Sequence, residues 1–435
     1  MYPAAESKIV KKNMDVVLMD KRLNRKRSVT REDNNIYIHK LNRPLCVSNF
    51  IRMMYDGLLR GYEDFCIHWV GQGTPVYPNA CVPIAGIIEY YRQKGIKFHI
   101  DIATSEYLSG CNFVSPSYLS DSEICALRNP FDQVFRYDTS AQVAMFTQKC
   151  VDCISRQTVC KEGVLESLIW CINEVMDNVL LHSQSTAGYV MAQFHSQNNH
   201  IAICVSDTGI GIYNSLKSSV HHPAKALDAL TLAIQEGIGD GQGQGNGLFG
   251  LYQIVQTNGG RLTLTSGPAS LMLTEDLCLQ KYDNLPCIDR SFQGTTVDFQ
   301  LDLNRAVDIK AAFSSIGGFD GFDIRIDNML QENNNLLYDV FENCEGTATR
   351  EAGCLLRNDV INTVRRANCK ICLGFSKIAT VSSSFIDEFI AKMIIEMGIV
   401  NFNQIVSILG MNDTVKHLCE RSIYMRIFEE WKATH

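Results

Sequence analysis

The segment Trp170-Cys-Ile-Asn-Glu174-Val-Met-Asp-Asn178-Val-Leu-Leu-His182-Ser183 decides the fold of the central part of this chain. Its apolar residues recur at helical spacing, and Glu174, Asn178 and His182 stand at i, i+4 and i+8, hence on one face of the predicted helix. A carboxamide oxygen on such a face can bind Mg²⁺, and a carboxylate one turn away can deprotonate a nucleophile. Taken alone the pattern is weak, because an exposed polar face of an ordinary helix looks the same.

A glycine-rich turn follows an apolar strand pattern in the segment Val205-Ser-Asp207-Thr-Gly209-Ile-Gly211-Ile212. Asp207, at the end of the predicted strand, can accept a hydrogen bond from the amino group of adenine. Gly209 and Gly211 would let the backbone turn closely around the base, because glycine adopts conformations that other residues avoid. An ordinary glycine-rich turn is the alternative when this motif is taken alone.

A second glycine-rich stretch, Gly241-Gln-Gly-Gln-Gly245-Asn-Gly247-Leu248-Phe-Gly250-Leu251, runs directly into an apolar helical pattern. Alternating glycines ahead of a helix can bring backbone N–H groups and the helix N-terminus toward phosphate groups. A flexible polar linker is the alternative, but the helical pattern begins at once. Two closing strands are predicted next, Arg261–Ser266 and Thr295–Leu303, joined by a long insertion.

The order and spacing of these motifs resemble those of the GHKL fold, the family of gyrase, chaperone, histidine-kinase and MutL ATPases. The resemblance covers residues 130–305 and implies an α/β sandwich with a mixed, largely antiparallel sheet. It implies bound ATP and Mg²⁺, and a mobile lid at about 213–245, inside a stretch, 213–247, that the sequence predicts to be long and flexible.

The resemblance also assigns roles to single residues. Glu174 would be the catalytic base, Asn178 the Mg²⁺ ligand and Asp207 the residue that recognises adenine. The other candidates for nucleotide binding are Gly209, Gly211, Gly245, Gly247, Leu248, Gly250 and Thr295.

Within the family, the segment Asn173–His182 looks closest to the anti-sigma-factor serine kinases, whose substrates are STAS domains. A histidine autokinase would need a phosphoacceptor histidine ahead of the helix, but residues 103–173 contain no histidine. The C-terminal region resembles the STAS-like domains found beside such ATPases in bacterial proteins. Its serines Ser382–Ser384 either accept phosphate or, as we favour, cap a helix through Ser383 or Ser384.

The chain of 435 residues is too long for one ordinary core. We expect a polar N-terminal tail (1–33), an α/β module that is a diverged STAS-like unit (34–125), the ATP-binding domain (130–305) and a STAS-like α/β domain (320–435). In the last of these the patterns predict strands at Phe322–Ile326, Ile371–Phe375 and Gln404–Leu409, and helices at 357–367, 384–397 and 412–420.

The composition excludes several function classes. A net charge of −7 and a pI of about 5.8 provide no broad attraction to nucleic acid or to acidic membranes. No apolar run reaches the length of about 18 residues that a membrane-spanning helix needs. The 17 cysteines are scattered without the spacing of a disulfide scaffold, which indicates a reducing compartment and a cytoplasmic protein.

Three functions stay open from the sequence. The first is a regulatory ATPase or switch that acts through flanking STAS-like modules. The second is a serine/threonine kinase that phosphorylates a STAS-like partner or itself, and the third is a non-catalytic protein that only binds ATP. All three imply a protein partner, STAS-like or regulatory, and a homodimer is a further option; neither nucleic acid nor a membrane is expected.

Overall fold

The computed structural model describes residues 28–102, 105–120, 127–241, 245–286, 293–312 and 323–434. Within these ranges the chain forms three β-sheets of four, eight and three strands. The predicted tail lies outside them up to residue 27, as does Gly243 of the second glycine-rich stretch. None of the helices in the described part of the chain is long and apolar enough to cross a membrane.

The N-terminal unit is a four-stranded sheet with helices. Its elements are β1 (Val29–Glu32), β2 (Asn35–Ile38), α1 (Leu45–Leu59), β3 (Asp64–Trp69), α2 (Pro78–Gln93), β4 (Lys97–Asp101) and α3 (Glu106–Gly110). Strands β1 and β2 form an antiparallel hairpin, whereas β2, β3 and β4 are parallel. The sequence placed Val29–Glu32 in the tail; the strand forms because Asp33, at φ +50°, turns the chain back onto β2.

The central unit is an eight-stranded sheet in the order β11-β10-β9-β12-β8-β7-β6-β5. Its strands are β5 (Ser117–Tyr118), β6 (Phe135–Tyr137), β7 (Gly188–His195), β8 (His200–Asp207), β9 (Arg261–Ser266), β10 (Ala269–Leu273), β11 (Leu279–Tyr282) and β12 (Thr295–Asp302). Its helices are α4 (Ser140–Gln157), α5 (Val164–His182), α6 (Gly211–Lys217), α7 (Ala226–Ala233), α8 (Gly247–Asn258) and α9 (Ile309–Ala312).

This sheet is mixed and largely antiparallel, which confirms the predicted α/β sandwich. Only the short pair β5–β6 is parallel among its described strand pairs. Helix α4 begins at a capping box between Thr139 and Gln142, and α8 ends at Gly259 in the left-handed conformation. Apolar residues of α4, α5 and α8 pack on one face of the sheet and form the main core.

The other face of the central sheet is covered in part by the N-terminal unit. Helix α2 packs against β7 and β8, where Tyr189, Met191 and Cys204 are buried in the same core as the residues of α2. A β-carbon on Gly86 of α2 would lie 3.2 Å from the Tyr189 ring, so the helix approaches the sheet closely. The N-terminal unit and the central unit therefore pack against each other as one body.

The C-terminal unit is a three-stranded parallel sheet wrapped by helices. Its strands are β13 (Leu336–Asp339), β14 (Ile371–Gly374) and β15 (Val406–Leu409). Its helices are α10 (Ile324–Met329), α11 (Val340–Asn343), α12 (Arg350–Ala367), α13 (Ser383–Ile386), α14 (Lys392–Met397), α15 (Ile399–Ile405) and α16 (Asp413–Thr434), with a π-helical turn at Asp387–Ala391 between α13 and α14.

Two sequence predictions in this unit were wrong. The strand predicted at Phe322–Ile326 is helix α10 over its described part, because the Asp323 carboxylate accepts hydrogen bonds from the backbone N–H groups of Arg325 and Ile326 and so caps a helix. The strand β13 was missed. Its four residues are too few to show a clear alternation.

The C-terminal unit docks on the central unit through α12 and α4. The Asn362 side chain donates hydrogen bonds to the carbonyl oxygens of Ser155 (2.9 Å) and Thr158 (2.7 Å) and accepts one from the Cys160 backbone N–H (2.9 Å). The Ser155 hydroxyl also donates to the buried carboxylate of Asp359 (2.8 Å). These bonds lie in a buried contact, so they fix one relative placement of the two units.

Candidate functional site

A pocket of about 420 Å³ opens between α5, the end of β8, the α6–α7 segment and the start of α8. Eight of the ten residues singled out from the sequence line it: Glu174, Asn178, Asp207, Gly211, Gly245, Gly247, Leu248 and Thr295. Gly209 and Gly250 do not line it. The three motifs, far apart along the chain, thus meet around one cavity.

Helix α5 supplies one wall of the pocket. It starts after Gly163, whose φ of +76° turns the chain into the helix, and it buries Ile172, Val175 and Val179 against the core. The opposite stripe, with Glu174, Asn178 and His182, is left facing the cavity. Burial raises the pKa of Glu174, and the nearby carboxylate of Asp177 raises it further. A carboxylate with a raised pKa is better matched to taking up a proton near neutral pH.

The second wall of the pocket is the start of α8, where Gly247 lies close to α5. A β-carbon built on Gly247 would lie 2.5 Å from Glu174 Oε2 and 3.4 Å from Asn178 Nδ2. Gly247 is the first residue of α8, and the first backbone N–H groups of a helix have no partner within it. The glycine therefore lets the N-terminus of α8 contact the two polar residues of α5. A helix N-terminus can bind an anion through its unpaired backbone N–H groups.

Asp207 forms the far end of the pocket. Its carboxylate is 5% exposed, and its Oδ1 accepts hydrogen bonds from the backbone N–H groups of Gly209 (2.7 Å) and Thr295 (3.3 Å). Burial raises the pKa of Asp207 to about 6, although the two hydrogen bonds act in the opposite direction. Among the described residues Oδ2 has no hydrogen-bond partner, so one acceptor stays available to a bound group.

Gly209 acts beside the pocket rather than in its wall. A β-carbon there would lie 1.9 Å from the Ser183 carbonyl oxygen, and the Ile210 backbone N–H donates to that same oxygen (2.8 Å). The residue therefore lets the loop close onto the C-terminal end of α5. Gly250 is buried one turn inside α8, where its N–H donates to the Asn246 carbonyl oxygen (2.8 Å).

Gly211 and Thr295 bring the loop and the closing strand together. Gly211 has a φ of +75°, and a β-carbon there would lie 2.4 Å from the Gln293 carbonyl oxygen. The next residue, Ile212, donates its N–H to the Ser266 hydroxyl (2.9 Å), which is also 3.1 Å from the Thr295 hydroxyl. Ser266 thus positions the glycine-rich turn beside the closing strand, a role that none of the sequence motifs indicated.

The segment predicted to be long and flexible contains two helices, α6 and α7. Their buried residues Leu216, Ala229 and Ala233 form a small apolar cluster with Ile238 and Leu248. The spacing of leucine and alanine in Ala226–Ala233 has a helical period and could have revealed α7. The sequence predicted no helix in this segment, and the local apolar cluster explains why two form; the mobile lid stays a prediction.

A hydrogen-bonded contact ties the same segment to α5. The Asp240 carboxylate oxygen Oδ2 lies 2.8 Å from His182 Nδ1 and accepts a hydrogen bond from the Ser215 hydroxyl (2.7 Å). All three residues line the pocket. Asp240 and Ser215 carry no motif of their own, so only the fold could identify them.

Comparison with known families agrees with this geometry. Residues 163–305 match the family model described as "Histidine kinase-, DNA gyrase B-, and HSP90-like ATPase". This part of the chain is a GHKL ATPase domain. Residues 352–416 match the model described as "STAS-like domain of unknown function (DUF4325)", so the GHKL ATPase domain is followed by a STAS-like domain. No curated protein matches the chain.

Proposed function

We propose that this protein is a regulatory ATPase that binds ATP with Mg²⁺ and uses slow turnover to set the contacts of its STAS-like domain. The GHKL ATPase domain supports an ATP-binding regulatory function; the turnover and the switch are the proposed parts. The observation that carries the proposal is the contact of Gly247 with Glu174 in a pocket whose other end is Asp207.

The residues of the pocket fit an adenine nucleotide. Its volume of about 420 Å³ lies within the range of small-molecule sites, about 300–1,000 Å³. The Oδ2 atom of Asp207 would accept a hydrogen bond from the adenine amino group, and the free N–H groups at the start of α8 would bind phosphate oxygens. Asn178, beside Gly247, would hold Mg²⁺, which when bound neutralises phosphate charge.

Glu174 is the residue we assign to proton transfer. Its Oε2 atom lies against the α-carbon of Gly247, next to the backbone that would hold the phosphates. There the carboxylate would orient a water molecule and take its proton as the water attacks. Its raised pKa makes Glu174 a stronger base than an ordinary exposed carboxylate, and so better matched to accept this proton.

Helix α4 would carry the signal to the STAS-like domain. Near the middle of α4 the Thr147 hydroxyl donates a hydrogen bond to the Asn173 side chain (2.8 Å), and Asn173 directly precedes Glu174. At the C-terminal end of α4, the Asn362 side chain donates hydrogen bonds to the carbonyl oxygens of Ser155 and of Thr158, the residue after the helix. A shift of α5 on nucleotide binding would therefore reach the docking contact through one rigid element.

Incubation of the protein with γ-labelled ATP and Mg²⁺ tests the chemistry. We expect free phosphate from the wild type, none above background from Glu174→Ala, and undiminished nucleotide binding by that variant. Glu166→Ala is the matched control, since Glu166 stands in the first turn of the same helix and does not line the pocket. Unchanged turnover in Glu174→Ala would remove this residue from the reaction.

The same experiment separates the rival functions. Label on the protein at Ser382–Ser384 would make the chain a kinase, and no label in either fraction would favour a site that only binds. The Ser382 hydroxyl accepts a hydrogen bond from the Phe385 N–H (3.0 Å), so the helix is capped by Ser382, one residue before the predicted positions. This contact supports the capping interpretation over the acceptor one.

The switch has its own test. Asn362→Ala should change the turnover rate, because it removes the hydrogen bonds between α12 and the C-terminal end of α4 with the residues that follow. Asn401→Ala is the control, since within the described part of the chain its side chain bonds only to the Met397 carbonyl oxygen of its own unit. Equal rates in the wild type and in Asn362→Ala would show that the ATPase does not sense the docking of the STAS-like domain.

A further inference from the structure

A second and larger cavity lies on the opposite face of the central sheet. It has a volume of about 960 Å³ and is enclosed by β8, β9 and β12, by residues 42–44 and by the start of α2. The alternation of β12 separates the two cavities: Val297 lines the nucleotide pocket, whereas its neighbour Asp298 lines the second one. We refer to it as the back pocket.

Asp298 is the unusual residue of the back pocket. It is 4% exposed, and its Oδ2 accepts one long hydrogen bond from the Asn79 side-chain amide (3.4 Å). Its Oδ1 is buried without a hydrogen-bond partner among the described residues. Burial raises the pKa of Asp298 to about 7, while Asn79 and Arg261 act against the shift. Because an unsatisfied buried acceptor destabilises the fold, proteins rarely keep one without reason.

Asn79 adds a second unsatisfied acceptor next to the first. Its amide nitrogen donates to the Asp298 carboxylate, which in its ionised form only accepts, and this fixes the orientation of the amide group beside the ionised carboxylate. The Asn79 Oδ1 is then buried and unpartnered within the described part of the chain. Two neighbouring acceptors, one of them a carboxylate, thus lack a donor among the described residues. An ammonium group could supply both the N–H donors and the positive charge that such a pair would bind.

The lining of the back pocket also contains arginine side chains, whose positive charge is opposite to that of the Asp298 carboxylate. Of its arginines, Arg261 is paired with Glu275 (2.9 Å) and Arg305 with Asp302 (3.3 Å). Arg43 is exposed and has no ion-pair partner among the residues that the structure describes. The two lining histidines, His195 and His200, have pKa values lowered by burial and add no charge near neutral pH. Arg43 is therefore the guanidinium available to an acidic group.

We propose that the back pocket binds a small zwitterion of the amino-acid class, with its ammonium group at Asp298 and Asn79 and its carboxylate at Arg43. A cationic donor would satisfy the buried acceptors of Asp298 and Asn79, the Arg43 guanidinium is free to pair with an acidic group, and one zwitterion supplies both. The ligand would bridge the N-terminal unit, which carries Asn79 and Arg43, and strand β12 of the ATPase domain. The site is independent of the proposed ATPase activity, since no residue of the nucleotide pocket takes part.

A thermal-shift and calorimetric screen of the full chain tests the proposal. The probes are the twenty L-amino acids singly at millimolar concentration, with acetate and ethylammonium as half-ligands. We expect at least one amino acid to raise the melting temperature and to bind, and neither half-ligand to do so. A screen without any binding amino acid, or equal binding of ethylammonium alone, would overturn the proposal.

Two variants then locate the site. Asp298→Asn keeps the shape but removes the charge, and the loss of a charge-assisted hydrogen bond should weaken binding of that amino acid by about tenfold or more. Arg43→Gln should weaken it too, and because Arg43 is exposed this variant should fold normally. Asp207→Asn in the nucleotide pocket should bind the amino acid like the wild type. Unaltered binding by both Asp298→Asn and Arg43→Gln would place the ligand elsewhere.

Discussion

The α-carbon of Gly247 lies against the Glu174 carboxylate, so closely that a β-carbon at position 247 would stand 2.5 Å from Oε2. Such a contact would force a shift, and here the neighbouring atom is the end of a flexible side chain. The glycine therefore matters less for the stability of the fold than for the position of the carboxylate. It joins two motifs that lie about 70 residues apart in the chain.

Gly247→Ala should thus leave the protein folded but displace Glu174. We expect a change of about 1 kcal/mol or less in the free energy of unfolding, because alanine is a good helix former. Turnover of ATP should fall by about 100-fold, the contribution of a well-placed general base. Gly110→Ala is the control, because a β-carbon there meets nothing within 4 Å. A Gly247→Ala variant with wild-type turnover would contradict the close approach of α8 to α5.

Asn178→Ala should remove the Mg²⁺-dependent part of nucleotide affinity. The wild type is expected to bind ATP more tightly with Mg²⁺ than with a chelator present, because an amide oxygen is a suitable ligand for this hard cation. In the variant the two affinities should be nearly equal. Calorimetric titration under both conditions measures the difference, and a difference that survives the substitution would assign the metal to other residues.

Asp207→Asn should weaken ATP binding because the amide places a donor where the adenine amino group also donates. Loss of a hydrogen bond to a charged group corresponds to about 1.5–3 kcal/mol, or roughly ten- to a hundredfold in affinity. The wild type should also bind ATP less tightly as the pH falls below about 6, where Asp207 becomes protonated. The variant should lack this pH dependence. A wild-type affinity that is flat through this range would exclude Asp207 as the adenine ligand.

The raised pKa of Asp207 also makes a prediction for the free protein. Because the folded-state pKa of about 6 exceeds the ordinary value of 3.8, the stabilising contribution is fully present below 3.8 and is lost as the pH rises through about 6. The change amounts to about 3 kcal/mol. Urea unfolding of the wild type, compared with Asp207→Asn at the same pH values, should show this loss of free energy of unfolding between about pH 4 and pH 7. Parallel curves for the two proteins would contradict it.

Asp359→Ala should strongly destabilise the C-terminal unit. Asp359 is fully buried and accepts hydrogen bonds from Arg325, from the Tyr338 hydroxyl (2.6 Å) and from Ser155 across the docking contact. Burial alone would raise the pKa of Asp359, but these donors and the Arg325 charge lower it. Removing the carboxylate leaves the buried Arg325 guanidinium with only the longer contact to Asp152 (3.5 Å) and the Asn343 side chain, and the loss of one partner of a buried ion pair costs about 3–5 kcal/mol.

Chemical denaturation measures that cost, with Lys377→Ala as the control. Lys377 pairs with Asp339 (2.9 Å) at the exposed surface of the same unit, where solvent screens the pair and it contributes little to stability. Equal destabilisation by the two substitutions would mean that the buried network contributes no more than a surface pair.

The local sequence pattern was sufficient to predict the elements that carry the candidate site residues. The helix with Glu174 and Asn178, the strand that ends at Asp207 and the glycines ahead of α8 all follow from spacing within about a dozen residues, and their common pocket follows from the family resemblance. The same reasoning failed at Phe322–Ile326, where the side chain of Asp323 turned an apparent strand into a helix. It also missed helices α6 and α7, whose packing depends on contacts with Leu248 and Ile238.

By itself, then, the sequence determined the three motifs, because these depend on periodicity and on residues close together in the chain, and the resemblance of its segments to known families predicted the ATPase fold and the STAS-like domain. Only the tertiary structure decided that α2 covers the back of the sheet, that Asn362 holds α4, and that Gly209 supports the pocket rather than lining it. It alone brought Asn79 to Asp298, 219 positions further on. Such contacts depend on which apolar faces pack against each other. A local sequence pattern shows that a face is apolar, but not which other element it packs against.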